Sequence, residues 1–131
     1  MSNLLTYFRE TLEIYAIELK DLATGIIAQL EKALKLKDKE VTELFEGGTQ
    51  AMRMNYYPPC PQPEKVIGLA PHSDAVGLTI LLQISDVEGL QVKKDGNWVT
   101  VKPLPNAFIV NIGDILEVVI NTHYILFDCL I

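Results

Sequence analysis

Histidine, arginine and cysteine are scarce in this chain: two of each stand among its 131 residues. The cysteines, Cys60 and Cys129, are too few for a disulfide framework and lack the paired spacing of a structural zinc site. Isolated cysteines fit a reducing, intracellular compartment better than an oxidising one. No cluster of lysine or arginine forms the basic stripe that a phosphate backbone requires, and the net charge is −6, so nucleic acid is not an expected partner. Long apolar runs are missing too. The opening MSNLLTYFRE meets Arg9 and Glu10 before it reaches signal-peptide length, and no stretch approaches the ~18 apolar residues of a membrane span. The expectation is a soluble, cytoplasmic protein with no membrane partner.

What is present divides into two halves of different period. The chain is 49% hydrophobic and 21% charged, enough for one modest core, as one domain or a piece of one. Apolar positions Phe8, Leu12, Tyr15, Leu19, Leu22, Ile26, Leu30 and Ala33 recur by threes and fours, which predicts one long amphipathic helix with a weak point at Gly25. The same spacing would serve a coiled-coil seam, but the strand-rich half that follows favours packing on a sheet. A second helix is expected from Asp38, a good N-cap residue, to the stop at Gly47 and Gly48.

Beyond Gly48 the period becomes two. AMRMNYY reads as extended chain ending in PPCPQP, which cannot continue a ladder. GLQVKKDGNWVTV reads as a hairpin turning at Asp95 and Gly96. Strands are also expected in GLTILLQ, in NAFIVNI and, past a turn at Gly113 and Asp114, in ILEVVI. Helices first and short antiparallel strands afterwards give an α+β chain: a helical segment, 1–48, and a β-sandwich or jelly-roll segment, 49–131.

Side chains alternate along a strand, so in PHSDAVG the residues His72 and Asp74 share a face that Ser73 does not. An imidazole and a carboxylate converging on one point are two-thirds of the facial triad that holds non-heme Fe(II) and leaves positions open. Taken alone, the tripeptide is more often a surface hydrogen bond or an edge of the core. Asn55 and Tyr57 repeat the two-residue spacing one strand earlier, an amide and a phenol suited to a small carboxylate. Read alone, they are a turn asparagine and a tyrosine covering the sheet.

Together, MRMNYYPPCPQPEKVIGLAPHSDAVGLTILLQ and VEGLQVKKDGNWVTVKPLPNAFIVNIGDILEV closely resemble the plant 2-oxoglutarate and Fe(II)-dependent dioxygenases, in the branch of senescence-related and alkaloid O-demethylating enzymes. The resemblance reaches about Tyr124. It implies a double-stranded β-helix, a jelly-roll variant, against which the N-terminal helix packs. It also implies iron held by two histidines and one aspartate, with His72 and Asp74 matching the first two ligands and Asn55 and Tyr57 facing 2-oxoglutarate. The implied activity is hydroxylation, demethylation or desaturation of a small specialised metabolite, with Fe(II) as cofactor, 2-oxoglutarate as co-substrate and ascorbate as reductant.

The family pattern continues with Asn-Gly-x-Tyr-x-Ser-x-x-His-Arg and later Arg-x-Ser, whereas this chain reads NTHYILFDCLI. Aligned on Asn121 and Tyr124, Leu126 replaces the serine, Cys129 the third iron ligand and Leu130 the arginine. His123 lies six positions from the expected ligand site, roughly 20 Å in an extended chain at ~3.3 Å per residue, and reads as a solvated turn residue. Cys129 has the chemistry of a ligand but stands close to the last residue given. No Arg-x-Ser occurs; Arg9 and Arg53 both precede the pair, and Arg53 shares the parity of Asn55 and Tyr57 without matching the clamp. These departures imply a truncated member whose late jelly-roll strands are missing, with exposed apolar faces and unpaired edges. Such a chain is expected to be inactive as it stands. The competing expectation is a non-catalytic binding or regulatory fragment that associates with a full-length relative. PPCPQP as a polyproline ligand is a weaker reading than a rigid loop inside the fold.

Overall fold

The computed structural model describes residues 2–36 and 39–120 and the backbone of a two-residue strand, Cys129–Leu130. It divides into two compact units, Met1–Met52 and Arg53–Ile131.

The first unit is a helical corner. Helix α1 spans Ser2–Leu34 and runs through Gly25 without interruption. The expected seam is only half right: Phe8 and Leu22 are exposed, and the buried side chains at the C-terminal end are Ile27 and Glu31. Lys35 adopts a left-handed conformation (φ 55°). Its N–H bonds the Lys32 carbonyl and that of Leu36 bonds the Glu31 carbonyl, closing the helix in a Schellman arrangement where glycine is the usual occupant.

Helix α2 follows at Glu40–Glu46 and stops at Gly47. Its N-cap is Lys39, left-handed and offering no side-chain cap; Asp38, the expected cap, lies outside the described residues. The free N–H groups are satisfied from the other helix instead. Glu31 Oε1 accepts from the backbone N–H of Val41 (2.6 Å) and Thr42 (2.8 Å), and Oε2 accepts from the Thr42 hydroxyl (2.6 Å). A carboxylate at a helix N-terminus also meets the positive end of the dipole. Glu31 is 6% exposed, and the Thr42 hydroxyl bond, opposed by burial and aided by the two backbone bonds, holds its carboxyl below the usual range.

This pairing fixes a pH dependence. A depressed folded pKa stabilises above the unfolded value, about 4.3, and that contribution is lost as pH falls through the folded value. Protection factors of the Val41 and Thr42 amides, corrected for intrinsic exchange, are therefore expected to hold above pH ~5 and collapse in acid. Glu31→Gln should give low protection at every pH; a protein whose α2 protection ignores both acid and substitution would disprove the cap.

The second unit carries the strands. Strand β1 (Leu78–Leu82) pairs antiparallel with β4 (Phe108–Ile112), in a register that sets Thr79 against Asn111 and Ile80 against Val110. Between them in sequence lies the expected hairpin, β2 (Gln91–Lys94) and β3 (Asn97–Thr100). Asp95 and Gly96 both have positive φ, 51° and 80°, the conformation of a two-residue I′ turn whose twist matches the strands. Lys93 faces Trp98 across the ladder, with Nζ 5.9 Å from the ring centre. Strand β5 (Cys129–Leu130) pairs antiparallel with β2, so the described strands form two small antiparallel sheets, β1-β4 and β3-β2-β5.

Three strand expectations fail, the segment around His72 and Asp74 among them. ILEVVI is a helix, α3 (Asp114–Val119): the β-branched residues favour a strand locally, but the four-residue step from Leu116 to Ile120 buries both on one helical face. AMRMNYY forms no strand: no described strand pairs with it, and the prolines that follow donate no ladder bonds. The buried apolar residues among those described are Ile27, Val41, Leu90, Leu116 and Ile120, while Leu4, Ile84 and Leu104 are mostly exposed. No helix among the described residues is long and apolar enough to cross a membrane.

Candidate metal centre

The approach to β1 is where the histidine and aspartate meet. They were expected within a strand, yet β1 begins only at Leu78 and the preceding residues are irregular apart from a single bridge at His72. The physical reason is a competing set of partners. The carbonyls of Asp74, Val76 and Gly77 accept from the N–H groups of Asp114 (2.8 Å), Ile115 (3.2 Å) and Gly113 (2.9 Å), so the chain is tied to the β4–α3 corner in place of a neighbouring strand. Gly113 makes this approach feasible. A Cβ there would overlap the Val76 carbonyl oxygen and lie 2.6 Å from that of Asp74.

Alternation of side chains survives in this irregular segment. His72 Nε2 lies 3.5 Å from Asp74 Oδ1, while Ser73 turns away and donates its hydroxyl to Asp114 Oδ2 at 3.0 Å. The His72 ring is oriented by its other nitrogen: Nδ1 is 2.9 Å from the Ala70 carbonyl oxygen, which can only accept. Nδ1 therefore carries the proton and Nε2 of the neutral ring keeps its lone pair, the tautomer that metal-binding histidines use. Asp74 Oδ2 accepts from Asn111 Nδ2 at 2.7 Å.

Partial burial pushes the Asp74 carboxyl up, but hydrogen bonds from Thr79 and Asn111 and the neighbouring His72 outweigh it and hold it below its usual value. The anion is thus favoured, as a metal ligand requires. One imidazole nitrogen and one carboxylate oxygen face a common point, a donor set that fits Fe(II). Among the described residues no third His, Cys, Asp or Glu joins them. His123 lies outside the described residues, and so does the side chain of Cys129.

Asn55 and Tyr57 belong to the same unit but sit in the irregular stretch before the prolines, both exposed, Tyr57 by 47%. Among the described residues no hydrogen bond joins either to the pair. Arg53 is exposed as well. Sequence reasoning missed Asn111, Gly113 and the Ser73–Asp114 bond. The first two stand in the NIGD of the second stretch that carries the family resemblance, but only the β1–β4 register and the loop ties give them work.

A family model described as the 2OG-Fe(II) oxygenase superfamily matches residues 48–126, which contain the pair, its hydrogen-bond partners and both exposed candidates. The chain belongs to that superfamily. The chain is similar to Protein SRG1 of Arabidopsis thaliana, 61% identical over 119 residues, a match that covers 89% of this chain and 33% of the relative. Codeine O-demethylase of Papaver somniferum is 59% identical over 118 residues, with the same 89% and 33% coverage. The solved structure of JOX2 in complex with 2OG, Fe and JA superposes with a TM-score of 0.81 at 43% identity, over 93% of this chain and 37% of that one. The chain therefore spans about a third of the length of the curated relatives it matches.

Proposed function

We propose that His72 and Asp74 are two protein donors of an Fe(II) site in a 2-oxoglutarate-dependent oxygenase. Its activity would be hydroxylation, demethylation or desaturation of a small specialised metabolite in the cytoplasm. The observation that carries this reading is the Nδ1 bond to Ala70, which leaves His72 Nε2 beside Asp74 Oδ1. In this proposal Asn55 and Tyr57 face 2-oxoglutarate, and the strand-bearing unit is part of a double-stranded β-helix. Bound Fe(II), with 2-oxoglutarate as co-substrate and ascorbate as reductant, would supply the oxidation chemistry. The chain's own part is to hold the imidazole as the correct tautomer and the carboxylate as an anion, and to leave the remaining coordination positions open.

With cysteine where the third ligand is expected and no Arg-x-Ser in the sequence, the 131 residues bind metal through two donors and turn over no 2-oxoglutarate. Two measurements test this. Co(II) titration of the purified chain, followed by its visible absorption, should show binding that His72→Ala and Asp74→Ala each weaken by more than the ~10–100-fold of an outer-shell change; equal binding by the variants would sink the assignment. Succinate formation with Fe(II), ascorbate, 2-oxoglutarate and a panel of small phenolic and alkaloid substrates should stay at background. Turnover above background would show that this chain assembles a working site.

A further inference from the structure

Asp74 has two carboxylate oxygens, and they have different neighbours. Oδ1 is the oxygen near His72 Nε2, at 3.5 Å. Oδ2 receives the Asn111 amide at 2.7 Å. An ionised carboxylate only accepts, so Asn111 must present its NH2 and not its carbonyl. A neutral amide donating to an anion makes a shorter, stronger bond than a neutral pair.

We propose that Asn111 is a positioning residue for the metal-binding carboxylate: it occupies Asp74 Oδ2, so that Oδ1 alone is presented beside His72 as a monodentate donor. This inference rests on the reading of His72 and Asp74 as metal donors. Three features on β4 and its corner carry it. First, Asn111 is a ladder residue, directly opposite Thr79 and flanked by the pairs Leu78 with Ile112 and Ile80 with Val110, so its Cα is fixed by the pairing of β4 with β1. Second, the Thr79 hydroxyl acts on the same carboxylate from the opposite strand, making the cross-strand pair a two-sided cradle. Third, the Asp74 backbone is held independently, its carbonyl accepting from the Asp114 N–H at 2.8 Å. With the main chain pinned by residue 114 and one oxygen pinned by residue 111, the carboxylate has little freedom left except to offer Oδ1.

A purely structural need does not account for the bond. The Asp74 side chain is 24% exposed, so water could satisfy Oδ2 without an asparagine 37 positions away. What water cannot do is choose which oxygen stays free.

The test uses the whole 131-residue chain and Asn111→Leu, which keeps the branched shape of the side chain at somewhat larger volume and removes the donor. Co(II) binding should weaken by about 10–100-fold, and the visible bands of bound Co(II) should shift as the carboxylate gains a second binding mode. Far-UV circular dichroism should match the parent. Asn111→Ser, which restores a donor, should recover part of the affinity and the parental bands. A purely structural residue would reduce the folded fraction and leave the spectrum of bound Co(II) unchanged, so unchanged bands overturn the proposal. A second readout needs no metal. In 1H–15N spectra of the apo chain, one Asn111 side-chain amide proton should be shifted downfield, move on Asp74→Ala and stay in His72→Ala. If it ignores Asp74→Ala, the positioning role is wrong even if Co(II) binds; if it responds but Co(II) does not bind, the metal assignment has failed and the carboxylate cradle stands.

Discussion

Gly113→Ala is expected to be the most damaging single-methyl change in the strand-bearing unit. The backbone angles at Gly113, φ −95° and ψ 172°, suit any residue, so the cost is one of space alone. The added Cβ would meet the carbonyl oxygens of Val76 and Asp74, backbone atoms that cannot swing aside as a lysine tip would. Overpacking typically costs about 1–3 kcal/mol, and with two carbonyls in the way the upper end applies. Because one of them belongs to Asp74, relief of the clash must also move the proposed metal donor. Urea denaturation should show the loss of stability, and Co(II) titration a loss of affinity larger than the unfolded fraction explains. Gly89→Ala is the matched control. Its Cβ would meet nothing within 4 Å, so a near-neutral result is expected there, and equal effects at the two glycines would disprove the steric account.

The second large effect is expected at Leu116, the first buried residue of α3 and 0% exposed. Truncation to alanine should cost about 2–5 kcal/mol, the range for deleting a buried leucine with partial collapse of the cavity. With Leu90 and Ile120 the only other buried apolar residues described in this unit, few contacts remain to absorb it. Total stabilities of small domains are about 5–15 kcal/mol, so Leu116→Ala should remove a large fraction of the stability and clearly lower the midpoint of a thermal or urea melt. Leu116→Met conserves volume and is expected to lose less than about 1.5 kcal/mol. A parental melting temperature for Leu116→Ala would mean that this helix contributes no core.

The second prediction concerns a segment that sequence reasoning assigned to the wrong element. ILEVVI is rich in β-branched residues, and nothing local opposes a strand. The helix follows from tertiary facts: the first N–H groups of α3 find acceptors on residues 74 and 76, and the step from Leu116 to Ile120 buries both. Glu31 as a cap for α2 was hidden for a similar reason, since the bond crosses ten positions of chain. The hairpin at Asp95 and Gly96, by contrast, was readable because its determinant is local: two adjacent residues that tolerate positive φ. The periodicity of α1 was readable as a helix, but not which side would be buried. At the site, the convergence of His72 and Asp74 was legible from alternation alone, and it survives even though the segment is not a strand. Asn111 was not legible as a partner of Asp74, because its role depends on the pairing of Thr79 with Asn111 across the ladder.

That ladder also has a bearing on how the site comes into being. Bringing Asp74 to Asn111 closes a long loop of chain, and the entropy of closure must be met before the contact returns anything. The hairpin β2–β3 lies inside that loop and forms from neighbours, on a timescale of roughly microseconds. Once folded it shortens the flexible path between β1 and β4, so hairpin before ladder is the expected order. The two proposed metal donors are therefore assembled late, and the onset of Co(II) absorption after dilution from urea should trail the Trp98 fluorescence change that reports the hairpin.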